Sequence, residues 1–248
     1  MSLPPFHPTQ VGRRREPFSG RDWIFEIKWD GFRALAEIER GECRLISRNG
    51  NVFKSFPALN TSLPAELNAS SAVLDGEIVC LDRDGKPQFK NLMFRRGEPR
   101  FYVFDLLWLD GEDLRHLPLF ERKLRLRFVA PRGGERLLYC DHVEQDGEAL
   151  FRLACERDLE GIVAKKKSAA YLPHEESTWF KIRNRSYSQW IGREQLFERE
   201  RETNPDDRLW AGCVAACAEA ENIGRVAVET CGRIRISFRS VNCSPSAG

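Results

Sequence analysis

Between Trp23 and about Arg183 the chain runs in short apolar segments broken by Gly, Asp and Asn. The clearest are WIFEIKW, RALAEIE, CRLIS, AVLDGEIVCLD, RFYVFDLLWLDG and GIVAKK. Several alternate apolar and polar residues at period two, the signature of half-buried antiparallel strands. Gly41-Glu42 and Asp84-Gly85 predict hairpin turns. Two stretches instead space their apolar residues by three and four: PLFERKLRLRFV (118–129) and GEALFRLACERD (147–158) predict helices. The pattern is a hairpin-rich mixture of strands and helices, not a regular βαβα winding.

Residues 1–20 carry four prolines, two glycines and the triplet Arg13-Arg14-Arg15, and predict an extended N-terminal arm. A main domain is expected over 21–190. From 191 to 248 the character changes to a helical linker and a C-terminal extension. IGREQLFERERE (191–202) is charged and helical in pattern. RLWAGCVAACAEAEN follows as a second helix, capped by Asp206 or Asp207 and ended by Gly224. RVAVETCGRIRISFRS alternates like one or two strands.

Composition narrows the function classes. Of 248 residues, 42% are hydrophobic and 31% charged, which excludes a disordered or membrane-embedded chain. No apolar run approaches the roughly 18 residues of a membrane helix, and the N-terminus lacks the apolar core of a secretory signal. The formal charge of +2 neither demands nor forbids a nucleic-acid partner. Eight cysteines without a CxxC pair predict reduced thiols and a cytoplasmic setting rather than a disulfide scaffold. Neither GxGxxG nor GxxxxGK[ST] occurs, so the common phosphate-cradling loops are absent.

The candidate chemistry begins at Glu26-Ile27-Lys28-Trp29-Asp30-Gly31-Phe32-Arg33. A strand ending in Lys and then Asp-Gly sets an amine at a sheet edge beside a tight turn. Such an amine is a nucleophile only when neutral. Neighbouring cations such as Arg33, or a bound metal, favour that state, and Asp30 opposes it unless it engages another partner. Further along come Ser47-Arg48-Asn49-Gly50, Asp75-Gly76-Glu77, Phe104-Asp105, Glu160-Gly161 and Trp179-Phe180-Lys181-Ile182-Arg183. Each alone is better explained as a structural turn, a core aromatic or a solvated charge run. Their joint appearance in this order carries the functional reading.

KWDGFR, SRNG, LDGE, FDLL, EGIVAK and WFKIR resemble the successive motifs of the covalent nucleotidyltransferases, the ATP-dependent polynucleotide ligases and mRNA capping enzymes. The wording DWIFEIKWDGFRAL with EGIVAKK is most similar to bacterial ATP-dependent DNA ligases of the end-joining type, and SYSQWIGREQLF resembles the linker after their last motif. The resemblance spans about residues 18–199. It implies an α+β nucleotidyltransferase (ATP-grasp-like) domain, with two antiparallel sheets and flanking helices around an ATP cleft. It implies that Lys28 takes AMP from ATP as a phosphoramidate, passes it to the 5′-phosphate of nicked double-stranded DNA, and that the 3′-hydroxyl then seals the strand in DNA repair.

Carried over residue by residue, the resemblance implies further roles. Glu160 and Glu77 suit Mg2+ or Mn2+, and Glu77 also the ribose hydroxyls. Phe104 offers a face for adenine. Glu26 and the backbone near Ile27 define the adenine pocket. Arg33 and Arg48 reach phosphate or ribose oxygens, Lys165 faces nucleotide or phosphate, and Lys181 with Arg183 grips the α-phosphate from one strand face. Two departures stand out. The position of Arg183 is usually lysine in that family, and the residues after Phe197 are too few for the five-stranded OB barrel that normally follows. The expectation is therefore a minimal ligase, a ligase completed by a partner chain, or a module that stops at AMP transfer. An RNA ligase or RNA-capping guanylyltransferase, and a non-catalytic nick-binding scaffold, are the alternatives. DNA contact is expected at Arg13-Arg14-Arg15, Lys166, Lys167 and Arg193 to Arg201, and no membrane partner is expected.

Overall fold

The computed structural model describes residues 3–131, 133–171 and 178–190. The readings for 191–248, including both helices and the RIRISFR strand, lie outside the described residues.

The apolar runs form strands where predicted. β1 (Gly12–Arg13), β2 (Gly20–Ile27), β9 (His142–Gln145), β10 (Gly161–Lys166) and β11 (Trp179–Arg183) make one sheet, in the order β1-β11-β10-β2-β9. β3 (Phe32–Glu39), β4 (Glu42–Ser47), β5 (Ser71–Cys80), β6 (Pro99–Leu109) and β7 (Glu112–Asp113) make the second, in the order β4-β3-β5-β6-β7, with β8 (Leu137–Tyr139) alongside β6. Pairing is antiparallel except at β1·β11 and β6·β8. The two predicted helices are α3 (Leu119–Val129) and α4 (Gly147–Glu156); α1 (Pro57–Glu66) and the short α2 (Phe89–Met93) precede them. Asp146 caps α4, its carboxylate accepting from the Ala149 N–H at 3.1 Å.

Period-two alternation sorts the residues into three apolar layers. On one face of the second sheet, Ala34, Ala36, Leu74, Ile78 and Val103 pack with Leu59 and Leu63 of α1 (Pro57–Glu66). On the outer face of the first sheet, Phe25, Ile162, Ala164 and Ile182 pack on Leu150 and Ala154 of α4. Between the sheets, Ile24 and Trp179 meet Leu35, Val73 and Leu107. A cleft opens from this middle layer, lined in part by Phe104 and Trp179.

One sequence reading needs correction, and further features were not foreseen. The hairpin turn falls on Arg40-Gly41, not Gly41-Glu42: both have positive φ, 54° and 78°, and Glu39 pairs with Glu42. That is the geometry of a type I′ turn, which follows the strand twist. The N-terminal arm is extended but does not hang free. Phe6 is buried, and Gly12 and Arg13 pair with Phe180 and Lys181. Helix α1 was missed, because PALNTSLPAE buries only two leucines and carries Pro64 near its end. Its stability comes from the layer it covers rather than from its own propensity.

Candidate active site

A cavity of about 660 Å³ lies between the sheets. Its lining includes Glu26, Ile27, Lys28, Arg33, Arg48, Glu77, Phe104, Lys165 and Lys181. Nine of the residues singled out in the sequence therefore converge on one space, although they come from six strands and two turns. Register explains how. Glu26, Val163 and Lys181 pair in one row across β2, β10 and β11, and Ile24, Lys165 and Trp179 in the row next but one. Directly paired residues project to the same face.

Lys28 follows β2, and its N–H donates to the Gly161 carbonyl at 2.9 Å. That bond sets its side chain beside Glu160, and the ammonium donates to Glu160 Oε2 at 2.5 Å. Glu160 itself is 3% exposed and meets the cleft through Lys28. Gly161 makes this approach possible. Its φ is +137°, and a Cβ there would stand 2.1 Å from the Ile182 carbonyl oxygen. Gly31, behind the lysine turn, is equally constrained, at 2.0 Å from the Ile78 carbonyl oxygen. Asp30 has the separate partner that the sequence reading required, accepting from the Tyr187 hydroxyl at 3.0 Å.

Arg33 does not serve as the loose cation expected beside Lys28. Its Nε and Nη2 donate to the two oxygens of Asp75 at 3.0 and 2.6 Å, and Nη1 donates to the Thr9 carbonyl. Asp75 is fully buried and also accepts from the Tyr171 hydroxyl. A buried carboxylate demands such partners, so the fork of Arg33 is spent largely on the fold. The cations that do gather are Lys181, Arg183, Lys28, Arg13 and Arg48. Burial pulls Lys181 down to about 8, and the other four push it the same way. Glu77 moves oppositely, raised to about 8 by burial with the negative charge of Glu160 adding to it, against the pull of Lys28.

Arg183 does not line the cavity. It shares the strand face of Lys181, but its guanidinium stacks 4.7 Å from the Trp190 ring, with Nε 4.0 Å from Glu160 Oε1. Phe104 meets Trp179 edge to face, with centroids 5.8 Å apart. The Lys165 ammonium sits 4.0 Å from the Phe104 ring centre and 3.9 Å from that of Trp179. Of the expected DNA-contact cations, Lys166 is exposed, Lys167 pairs with Glu144, and Arg14 stacks over Phe18.

Sequence reasoning placed Glu26 and Lys165 at the cavity but missed Lys123, the third member of its floor. Glu26 is 2% exposed and ion-paired at 2.6 Å to both Lys123 and Lys165. Next to Lys123 along α3, Arg122 is forked onto Asp105 at 2.8 Å twice. The signal was present in α3, where Arg122 and Lys123 fall on the buried stripe of Leu119, Leu126 and Val129. Charged residues at core-facing helix positions point to buried acids.

Residues 13–183 match the family model described as the ATP dependent DNA ligase domain. The chain belongs to this family. Its relatives include the multifunctional non-homologous end joining protein LigD of Pseudomonas aeruginosa, 37% identical over 169 residues, covering 65% of this chain and 20% of that protein. Another is the SPbeta prophage-derived DNA ligase-like protein LigB of Bacillus subtilis, 31% identical, covering 71% of this chain and 66% of that one. Among solved structures, a mycobacterial DNA ligase D complexed with ATP and MES superposes with a TM-score of 0.62 at 28% identity, covering 72% of this chain and 60% of that one. The two-sheet α+β architecture is thus that of a ligase nucleotidyltransferase domain. The chain spans about a fifth of the length of the LigD relatives. No helix among the described residues is long and apolar enough to cross a membrane.

Proposed function

We propose that this ligase-family domain activates ATP through Lys28 and serves nick sealing in DNA repair. The Lys28 amine attacks the α-phosphate. A nitrogen–phosphorus bond forms, the bond to pyrophosphate breaks, and the amine loses a proton. The AMP then moves to a 5′-phosphate of nicked duplex DNA, and an adjacent 3′-hydroxyl displaces it to join the strands. The observation that carries this reading is the juxtaposition of the Lys28 amine with Glu160 beside the aromatic and cationic cavity.

Each neighbour has a matching task. Glu26 and the backbone at Ile27 face the base, and Phe104 and Trp179 supply the aromatic wall. Arg48 and Lys181 face the phosphates, while Arg33 holds the cavity edge through Asp75. Arg183 acts on Glu160 and the local field rather than by direct grip. Glu160 and Glu77 fit a divalent cation such as Mg2+ or Mn2+. Their charges already act on one another, and among the described residues no third acid, Cys or His completes a metal cluster. Water and phosphate oxygens complete such a hard coordination shell, and the ion neutralises phosphate charge. Exposed cations at Arg13 and Arg48 suit a nucleic-acid backbone, whose binding falls steeply with salt. A cytoplasmic setting follows from those two substrates, and a further chain or domain would close over the pyrophosphate.

The test is incubation with ATP labelled at the α-phosphate and magnesium, followed by a chase with nicked DNA; GTP and nicked RNA serve as comparison arms. Label should bind covalently from ATP, leave on addition of nicked DNA, and be absent from Lys28→Ala. Label retained by that variant identifies another nucleophile and overturns the assignment.

A further inference from the structure

The cavity floor holds a charge arrangement in which one member, Lys123, has no task in the reaction above. Glu26 lines the cavity, and each of its two oxygens is held by a different lysine. Lys123 of α3 donates to Oε1 at 2.6 Å and to the Cys140 carbonyl at 2.8 Å, with its ammonium 4.4 Å from the Tyr139 ring centre. Lys165 of β10 stands 2.6 Å from Oε2, between Phe104 and Trp179. All three charged groups are 1–2% exposed. Lys165 touches the cavity, whereas Lys123 is not among its lining residues and reaches it only through Glu26.

We propose that Lys123 is a positioning residue for base selection, holding Glu26 ionised and aimed so that the cavity accepts a purine bearing a 6-amino group and rejects one bearing a 6-carbonyl. The inference rests on the nucleotide-transfer reading and adds a selectivity device to it. An ionised carboxylate has acceptors and no proton to donate. Each Glu26 oxygen retains a lone pair beyond its lysine contact, so an amino group gains a charge-assisted bond, whereas a carbonyl oxygen meets a second acceptor. Left to burial alone, Glu26 would be pushed toward its protonated form, which can donate to a carbonyl and blurs the distinction. The paired lysines outweigh burial and hold it below the usual carboxylate range. Charge is only half of the device. Lys165 alone would draw the carboxylate toward the aromatic wall, and the opposing pull from α3 keeps it centred.

The experiment measures equilibrium binding of α,β-methylene-ATP and α,β-methylene-GTP, which cannot transfer their nucleotide, to the intact protein and to Lys123→Met, Glu26→Gln and the double variant. Thermal unfolding of each accompanies the titrations. The wild type should prefer the adenine analogue. In Lys123→Met that preference should fall by about tenfold or more, the scale set by an unmatched hydrogen-bonding edge. Lys123→Arg, which keeps a cation facing Glu26, should recover part of it. Should Lys123→Met not fold, the double variant, in which the neutral amide needs no counter-charge, is compared with Glu26→Gln alone. The two should share one preference, because Lys123 acts only through Glu26; a further loss in the double variant overturns the proposal. An unchanged preference in folded Lys123→Met also overturns it, while leaving covalent capture by Lys28 intact as a separate result. Failure of the wild type to bind either analogue overturns both readings.

Discussion

Arg122→Met is the sharpest test of how this domain holds its site. Arg122 and Asp105 are both fully buried. Arg122 Nε and Nη2 each donate to an Asp105 oxygen at 2.8 Å, and Nη1 donates to the carbonyls of Leu117 and Ala169. Methionine fills much the same volume but removes all four bonds and leaves a buried carboxylate whose remaining hydrogen bond among the described residues comes from the Leu106 N–H, at 2.8 Å. Breaking a buried pair on one side costs about 3–5 kcal/mol. At about 1.4 kcal/mol per decade this lowers the folded-to-unfolded ratio by roughly 100- to 4,000-fold. In a domain of this size the midpoint temperature should fall by about 6–20 °C. Urea denaturation measures the free-energy change directly. Arg122→Met with Asp105→Leu should regain most of the loss, since an apolar pair of similar volume is often as stable as the ion pair it replaces. Arg125→Ala, which breaks a pair between half-exposed partners, Arg125 and Glu112, should cost no more than about 1 kcal/mol. A loss under about 1 kcal/mol in Arg122→Met would refute the reasoning, because it would mean that Asp105 finds water or another donor and is not sealed in the core.

Gly161→Ala should reduce both stability and AMP capture, because its Cβ strikes the Ile182 carbonyl and the strand must shift beside Glu160; normal labelling in a folded variant would contradict this. His142 is held neutral, lowered to about 4 by burial and the charge of Lys123. The unfolded chain takes up that proton at about 6.5 while the native one does not, so this group costs stability as pH falls from 6.5 toward 4, by on the order of 1–3 kcal/mol. In urea denaturation, His142→Gln should therefore lose less stability than the wild type between pH 7.5 and pH 4.5, and parallel losses would refute the assignment.

Much of the site was legible because its residues sit in short local motifs. Lys28, Glu77, Glu160 and Lys181 announce themselves by neighbours two or three positions away; register sets Lys181 in the row of Glu26, and Glu77 opposite Arg33, and the Lys28 N–H bond to Gly161 sets the amine beside Glu160. The Asp75 partner of Arg33 was not legible, because it lies 42 residues away in sequence. Nothing local distinguishes an arginine that will meet phosphate from one that will anchor a buried acid. Arg183 likewise shares the predicted strand face with Lys181, yet Trp190 draws its guanidinium out of the cavity lining.

What the sequence determined alone was the main strands (β2 to β6, β10 and β11), the helices α3 and α4 and the order of the charged motifs, because periodicity and turn chemistry act over a few residues. What only the tertiary structure decided was which charges cancel. The Lys123–Glu26–Lys165 floor and the Arg122–Asp105 and Arg33–Asp75 forks form between residues far apart in the chain. In a buried, water-poor setting each charge needs a partner, and which partner is near is set by how the two sheets and α3 pack, not by any local pattern.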